Sequence, residues 1–321
     1  MVALNTFAQL NPTNLAYYDR LLLERARPLL GHMLTAQKRR LPAGNGKVAV
    51  YRRFNDLSVN ATPLSPEGVT PAGDAVTRTE VTVSVQQYGN YVAYSDQLKD
   101  FSYDPVLDEF NEILAFNAAI TIERVNRAEL VTGTSVFYPG AIVARSNVTP
   151  TSYITSDLVR KAVTTLVVNN APKFHGQRSD TTGQGGYYAG LIHPYVMKDY
   201  KDSLKTDTKY IEVAFKEGYY DFVMTMMDGV MWFETTEAAV FLAAGDSSAN
   251  VYATLVLGKN AWGSPEIAGK GRMQMMVKAL GSAGSADPLD QRGTIGWKSY
   301  QAPKILNNNF MTRLETAASM G

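Results

Sequence analysis

The chain has 321 residues and no cysteine, with a hydrophobic fraction of 45% and a charged fraction of 19%, a composition typical of an ordered globular protein. This excludes disulfide bonds and thiolate metal sites, and no apolar run approaches the roughly 18 residues of a transmembrane helix. The net charge of +1 argues against a dedicated nucleic-acid coat. Residues 1–60 nevertheless hold nine basic and three acidic residues and carry +6, and the remainder carries −5. The basic cluster either steers one subunit onto another or is a solvated helix face.

The N-terminal segment predicts helix followed by a flexible link. Large side chains recur at helical spacing over residues 14–37, at Leu15, Tyr18, Leu22, Arg25 and Leu29. Pro28 interrupts this pattern, so we expect one or two amphipathic helices. Residues 38–46 combine basic side chains with proline and glycine and predict the link. The first ten residues lack the basic and apolar segments of a secretory signal.

Two strand-like runs predict a long two-stranded arm over residues 47–95. They are residues 47–54 and 80–88, and in the second run Val81, Val83 and Val85 alternate with polar residues. The connection over residues 55–79 is much longer than a usual hairpin loop of about 2–5 residues. Because a two-stranded ribbon alone is only marginally stable in water, we expect this arm to pack on a neighbouring chain.

The strongest helix signal follows over residues 104–132. Asp104 is suited to the N-cap, and Pro105 is suited to the first helical position. Gly133 is suited to end the helix. Such a helix is about 40 Å long. Its predicted apolar stripe is Val106, Phe110, Ile113, Asn117 and Ile120, broadened by Leu107, Leu114, Ala118 and Val125.

From residue 155 onward, the sequence pattern alternates between that of helices and that of strands. We predict helices over 155–169 and 194–204, a polar flexible loop over 174–186, and strands over 187–192, 229–234, 251–258 and 272–280. This alternation indicates an α/β-type lobe over about 155–280. The tail after residue 281 returns through strand-like runs over 294–300 and 309–314.

No catalytic or metal site is predicted. The three histidines, His32, His175 and His193, have no metal-binding spacing, and no nucleophile elbow is present. Asp108, Glu109 and Glu112 lie on the first turns of the long helix, where carboxylates favour the positive end of the helix dipole and can face solvent or a partner. We therefore expect a protein that is not an enzyme and uses no cofactor.

Several motifs nevertheless resemble one family. In chain order they are Gly68–Pro71, Glu80–Val83, Gln87–Asp96, Asp104–Asp108, Asn169–Pro172, Ile192–Pro194 and Leu280–Lys298. Together they resemble the major capsid proteins of tailed double-stranded-DNA phages of the "N-four" type. The resemblance spans about residues 65–300. Only the last motif, Leu280–Lys298, would identify the family if it stood by itself.

The resemblance implies an α+β protein with the Hong Kong 97-type phage capsid fold. It divides the chain into an N-terminal arm (1–46), an extended loop (47–95), a peripheral domain (96–154 and 281–321) with a spine helix (104–132), and an axial domain (155–280). It implies a major capsid protein that self-assembles as pentamers and hexamers into an icosahedral virion head around double-stranded DNA. It also implies assembly in the bacterial host cytoplasm, non-specific DNA contact on the inner face, no membrane, and scaffolding, portal and decoration proteins as partners.

Some capsids of this fold attach the extended loop to a neighbour through a lysine, but no lysine lies between Lys47 and Lys99. Non-covalent contact is therefore expected, and the candidate intersubunit residues are Arg52, Arg53 and Arg78 against Asp108, Glu109 and Glu112. Two alternatives remain open: an encapsulin-like compartment shell, and a virion-surface glycan-binding module. The second would use an aromatic platform of Tyr187, Tyr188, Tyr219 and Tyr220.

Overall fold

The computed structural model describes residues 31–41, 46–59, 61, 73–101, 106–175, 186–205, 223–267, 273–282, 284 and 287–320. Its α-helices are α1 Asp96–Phe101, α2 Val106–Leu130, α3 Ser156–Val168 and α4 Pro194–Lys205. Its strands are β1 Gln37–Leu41, β2 Val48–Phe54, β3 Arg78–Ser84, β4 Gln86–Ser95, β5 Val136–Phe137, β6 Phe174–His175, β7 Gly186–Ile192, β8 Val223–Met227, β9 Val230–Glu234, β10 Val240–Phe241, β11 Val251–Leu257, β12 Trp262–Ile267, β13 Gln274–Lys278, β14 Arg292–Gln301, β15 Lys304–Ile305 and β16 Met311–Thr316.

The largest unit is an eight-stranded sheet, which we call the large sheet. Its strand order is β5-β16-β11-β7-β9-β8, with β10 paired to β11 and β6 to β7. The sheet is mixed, because β7–β9 and β16–β5 are parallel and the other pairs are antiparallel. All seven residues of β11 are buried, as expected for a central strand. Side chains of α3 and α4 share one core cluster with β7, β9, β11 and β16.

A second core lies between α2 and a three-stranded sheet, β13-β14-β4. The helix has 25 residues and confirms the predicted long rod, although the proposed cap residues Asp104 and Pro105 lie outside the described residues. It packs on Ile295 and Trp297 of β14 and on Tyr94 of β4. Trp297 Nε1 also donates to Asn117 Oδ1 on the helix at 3.1 Å.

The buried side of α2 differs from the predicted stripe. The buried residues that face the second core are Leu114, Ala115, Ala118, Ala119 and Ile122, of which Leu114 and Ala118 were predicted, whereas Ile113 is exposed. Helical spacing shows which residues share a side of the helix but does not identify the side that faces the core. The small alanines allow the sheet to approach the helix closely. The prediction is therefore confirmed for Leu107, Phe110, Leu114 and Ala118, which lie in or against the second core, and it is wrong for Ile113.

The predicted N-terminal helices lie mostly outside the described residues. Within them, His32–Thr35 form a 3-10 helix, and Gln37–Leu41 form β1 rather than a flexible link. β1 pairs in parallel with β12, which also pairs with β15. Parallel pairing with a segment so distant in sequence leaves no local pattern, so the prediction of a link at these residues was wrong.

The predicted arm is divided between two sheets. β2 and β3 form the two-stranded ribbon, but the return strand ends at Ser84, and β4 pairs along its whole length with β14. Val83 and Val85 are buried with Ala49, Tyr51 and Ala302, so the base of the ribbon packs on its own subunit. The prediction that the arm packs only on a neighbouring chain is therefore wrong for the base of the ribbon, which packs within its own subunit.

The remaining predicted elements are observed with shifted bounds. Thr155 caps α3 by accepting a hydrogen bond from Leu158 N at 3.4 Å, as its sequence suggests. In the predicted loop over 174–186, the first two residues form β6, and residues 176–185 lie outside the described residues. Strand pairing also differs from the predicted domain division. β13, predicted in the axial domain, pairs with β14, and β16, predicted in the peripheral domain, joins the large sheet.

Candidate intersubunit surface

The ribbon is built by direct pairing of β2 with β3. Arg52 lies opposite Glu80, and Phe54 lies opposite Arg78. Pairing continues one residue further, where Asn55 N donates to Thr77 O at 2.9 Å. The amide of Asn55 also bonds to the hydroxyls of Thr77 and Thr79, each at 3.0 Å. These bonds hold the ribbon together after it leaves the buried base.

The three candidate arginines are on two different faces of the ribbon. Arg52 and Arg78 share a face with Glu80, and their Nε atoms lie 3.3 and 3.0 Å from Glu80 Oε1. Arg53 is on the other face because side chains alternate along a strand. Arg52 and Arg78 are 59% and 55% exposed, so most of each guanidinium faces solvent in the subunit.

The far part of the ribbon exposes apolar side chains that the sequence reasoning missed. Phe54 is 70% exposed and Val59 is 94% exposed, and Leu57 and Val76 are also exposed. We call these four residues the apolar tip. A sequence signal existed, because large apolar residues stood in a segment otherwise rich in proline, glycine and threonine. Exposed apolar patches mark interaction surfaces, so the apolar tip is a candidate for one.

The candidate carboxylates lie at the start of α2. Asp108 and Glu109 are in its first turn, Glu112 follows one turn later, and all three are exposed. They form a compact acidic surface whose charge suits the helix N-terminus. Within the subunit, Arg52 and Arg78 form ion pairs with Glu80 of the ribbon.

Two arginine–glutamate networks connect α2 to the large sheet. Arg124 and Arg127 both bind Glu237, with Arg124 Nε 2.9 Å from Glu237 Oε2. The hydrogen bond from Arg124 lowers the pKa of Glu237, which partial burial opposes. These contacts fix the helix against the loop that follows β9.

The second network lies at the C-terminal end of α2. Arg145 Nε and Nη2 bind the two oxygens of the fully buried Glu315 at 2.8 and 2.7 Å. Arg313 Nε lies 2.8 Å from Glu315 Oε1, and Arg313 also donates to the carbonyls of Val131 and Gly133 after the helix. Burial alone would raise the pKa of Glu315, but the hydrogen bond from Arg145 and the charge of Arg313 outweigh it, so the pKa is lowered.

The aromatic platform of a glycan-binding module is not formed as predicted. Tyr188 is buried, and its hydroxyl donates to Ala171 O at 3.2 Å. Tyr187 stacks with Phe174 at a centroid distance of 6.3 Å. Tyr219 and Tyr220 lie outside the described residues. Burial of Tyr188 in the core contradicts its predicted role.

His193 behaves as a residue at the start of a helix. Its Nδ1 accepts a hydrogen bond from Tyr195 N at 3.2 Å, at the beginning of α4. Burial lowers its pKa. Among the described residues, no cluster of histidine and acidic side chains is placed to hold a metal ion. Over the same residues, no helix is both long and apolar enough to cross a membrane.

Comparison with known proteins gives a family and a fold. A family model described as phage capsid protein matches residues 78–311. The capsid of Ralstonia phage GP4 is 11% identical over 88% of this chain and 87% of that chain, with a TM-score of 0.68. The capsid of cyanophage Pam1 is 14% identical over 88% and 89%, with a TM-score of 0.65. That of cyanophage P-SCSP1u is 13% identical over 89% and 87%, with a TM-score of 0.62. No curated protein matches the sequence.

These findings confirm the α+β, Hong Kong 97-type fold and the prediction of a capsid protein. They favour a phage capsid over the two alternatives. Since the family model covers more than half of the chain, the chain belongs to the phage capsid protein family.

Proposed function

We propose that this chain is the major capsid protein of a tailed phage and assembles as pentamers and hexamers into an icosahedral head around double-stranded DNA. The observation that carries the proposal furthest is the ribbon. Its base is buried in its own subunit, while the apolar tip is exposed. An exposed apolar tip on a two-stranded ribbon needs a partner surface, and assembly supplies one in every copy. The function is structural and involves no catalysis.

The ribbon binds the start of α2 on the next subunit. Arg52 and Arg78 reach Asp108, Glu109 and Glu112 of that subunit from one face, and Arg53 contributes from the other face. Each exposed ion pair contributes only about 0–1 kcal/mol. Repetition around each capsomer multiplies this contribution, and the apolar tip adds burial. Because no lysine lies between Lys47 and Lys99, the ribbon is held without a covalent bond.

The other partners follow from the same function. Scaffolding, portal and decoration proteins act on the shell, which is assembled in the bacterial host cytoplasm, and the inner face contacts DNA without sequence specificity. The domain division is proposed in revised form, because strand pairing moves β4 and β13 to the peripheral domain and β5 and β16 to the axial domain. The peripheral domain contains α2 with β4, β13 and β14, and the axial domain contains α3, α4 and the large sheet.

The test is charge reversal on one face of the ribbon. We expect the double variant R52E/R78E to remain folded but fail to form heads in negative-stain electron micrographs, because the two carboxylates that replace the guanidinium groups then repel the acidic start of α2. The control is R53E, a single charge reversal on the opposite face, which is compared with the single reversal R52E and is expected to impair assembly less. Adding D108R/E112R to R52E/R78E restores opposite charges and should restore heads.

Normal heads from R52E/R78E, or no recovery in the charge-swapped variant, would contradict the proposed contact. Small, regular oligomers in micrographs of the unmutated protein would contradict the shell itself.

A further inference from the structure

Residues 31–41 contact α2, β12 and the base of the ribbon, and we call this segment the clasp. Its first part is the 3-10 helix His32–Thr35, and its second part is β1. Met33 packs against the second core and also against the core cluster that contains Trp262. The clasp thus joins parts of the subunit that belong to different cores.

The start of the clasp is fixed to α2 by a buried polar pair. His32 and Glu123 are both buried, and His32 Nδ1 lies 2.5 Å from Glu123 Oε1. The backbone N–H of His32 donates to the same oxygen at 3.4 Å. Trp262 Nε1 donates to Thr35 Oγ1 at 3.0 Å, which holds the end of the 3-10 helix on β12. Because these groups are buried, their hydrogen bonds are stronger than they would be in water.

The second part of the clasp lies against the base of the ribbon. β1 pairs in parallel with β12, with Gln37 opposite Gly263. Arg39 Cζ lies 5.2 Å from the ring centroid of Tyr51 on β2, and Tyr51 is buried. A Cβ atom on Gly263 would lie 2.9 Å from Gln37 O and 3.4 Å from the Tyr51 hydroxyl. Gly263 therefore allows β1, β12 and the base of the ribbon to approach one another closely.

The covalent connection between β3 of the ribbon and β4 is short. β2 and β3 form a sheet of two strands, whereas β4 pairs with β14 in another sheet. Only Val85 lies between β3 and β4, and its N–H donates to Lys47 O at 2.9 Å. The base also packs on Ala302, which follows β14. One connecting residue can act as a hinge, so the packing of the base and the clasp set the direction of the ribbon.

We propose that the clasp fixes the angle between the ribbon and α2 and thereby decides how subunits close into rings. The inference rests on the proposed contact between the ribbon and the start of α2 on the next subunit. Such a contact joins two different surfaces of each subunit, and a ring closes only when the angle between these surfaces is correct. α2 runs without a break from Asp108 to Glu123, about 22 Å, so an anchor at Glu123 also fixes the direction of its start. His32 is a positioning residue for assembly.

The first test is hydrogen–deuterium exchange of backbone amides in unassembled subunits, measured by mass spectrometry, which reports on the clasp without a shell. In His32→Ala, amides of β2 and β3 should exchange faster by about tenfold, because a ribbon that loses packing at its base is only marginally stable. Amides of β11 should keep their rates. The rescue variant is His32→Asn, whose side-chain amide can still donate to Glu123 and should restore slow exchange in the ribbon.

A second variant acts at the other end of the clasp. Gly263→Ala places a methyl group 2.9 Å from Gln37 O, so β1 must move away from β12 and the base of the ribbon. The matched control is Gly73→Ala, the same substitution at a glycine with open space around the added atom. We expect faster exchange in the ribbon for Gly263→Ala and unchanged exchange for Gly73→Ala. In negative-stain micrographs, His32→Ala and Gly263→Ala should give open sheets and particles of mixed diameter, and Gly73→Ala should give uniform heads.

Uniform heads from both His32→Ala and Gly263→Ala would overturn the inference. Equally faster exchange in β11 and in the ribbon for both variants would also overturn it, because the clasp would then only stabilise the subunit as a whole. The ribbon contact itself fails in a different way. Normal heads from R52E/R78E would contradict that contact and the role in ring closure, while faster exchange confined to the ribbon in His32→Ala would still show that the clasp fixes the ribbon.

Discussion

The large sheet and the ribbon differ in whether their apolar side chains are buried within the subunit. Every residue of β11 is buried inside the subunit, whereas the ribbon buries only its base and exposes Phe54, Leu57, Val59 and Val76. The large sheet thus buries its apolar residues within one chain, whereas we propose that another subunit covers the apolar tip of the ribbon. Changes in the large sheet should therefore lower the stability of the subunit, and changes at the apolar tip should affect assembly alone.

The largest effect on subunit stability is expected for Trp232→Ala. Trp232 is fully buried and packs on Tyr200 at a centroid distance of 5.3 Å, and a side chain on Gly190 would overlap its ring. Removing the indole leaves a cavity in the core of the large sheet, at a cost of about 3–5 kcal/mol. Urea denaturation of unassembled subunits measures the loss.

The control for this change is Leu242→Ala, at a residue that is 76% exposed. It should alter the free energy of unfolding by less than about 0.5 kcal/mol. Similar losses for the two variants would refute the view that the large sheet is complete within the subunit.

A smaller effect is expected for Glu315→Gln, with a defined pH dependence. Losing charged hydrogen bonds to Arg145 and Arg313 should cost about 1.5–3 kcal/mol at pH 7. The pKa of Glu315 in the folded chain is lower than its ordinary value near 4.5. Its contribution is therefore present above about pH 4.5 and is lost as the pH falls through the folded-state pKa.

Unfolding free energies measured between pH 7 and pH 3 test this prediction. The difference between Glu315→Gln and the unmutated subunit should shrink as the pH falls. The comparison variant is Glu237→Gln, which should lose less at pH 7 because Arg124 is 58% exposed. A difference that is constant with pH would show that the Glu315 charge does not stabilise the junction.

The smallest effect on subunit stability, but a large effect on assembly, is expected at the apolar tip. The double variant F54S/V59S should change the free energy of unfolding by less than about 0.5 kcal/mol, because both side chains are exposed in the subunit. Heads should nevertheless be absent from micrographs, since the buried apolar contact between subunits is lost. Val168→Ser is the control, at an exposed apolar residue outside the ribbon, and should assemble. Normal heads from F54S/V59S would mean that the apolar tip is not an interface.

Much of the local structure was predictable because its signals are local. The rod of α2, the Thr155 cap and the runs that became β7, β11 and β14 follow from spacing and composition within short windows. Asp108, Glu109 and Glu112 were also placed correctly at the exposed start of α2, and their role in contacts between subunits stays a prediction. The apolar tip was missed because proline and glycine around it suggested a plain loop.

The sequence by itself determined where strands and helices form, the absence of cysteine chemistry, and membership of a capsid family through its motifs. Tertiary structure alone decided that β1 joins β12, that β16 completes the large sheet, and that the alanine side of α2 faces the second core. It also decided the β2–β3 register, which pairs Arg52 with Glu80 and thereby puts Arg52, Arg78 and Glu80 on one face. The physical reason is that periodicity fixes relative directions along one element, whereas pairing and burial depend on segments far away in the chain.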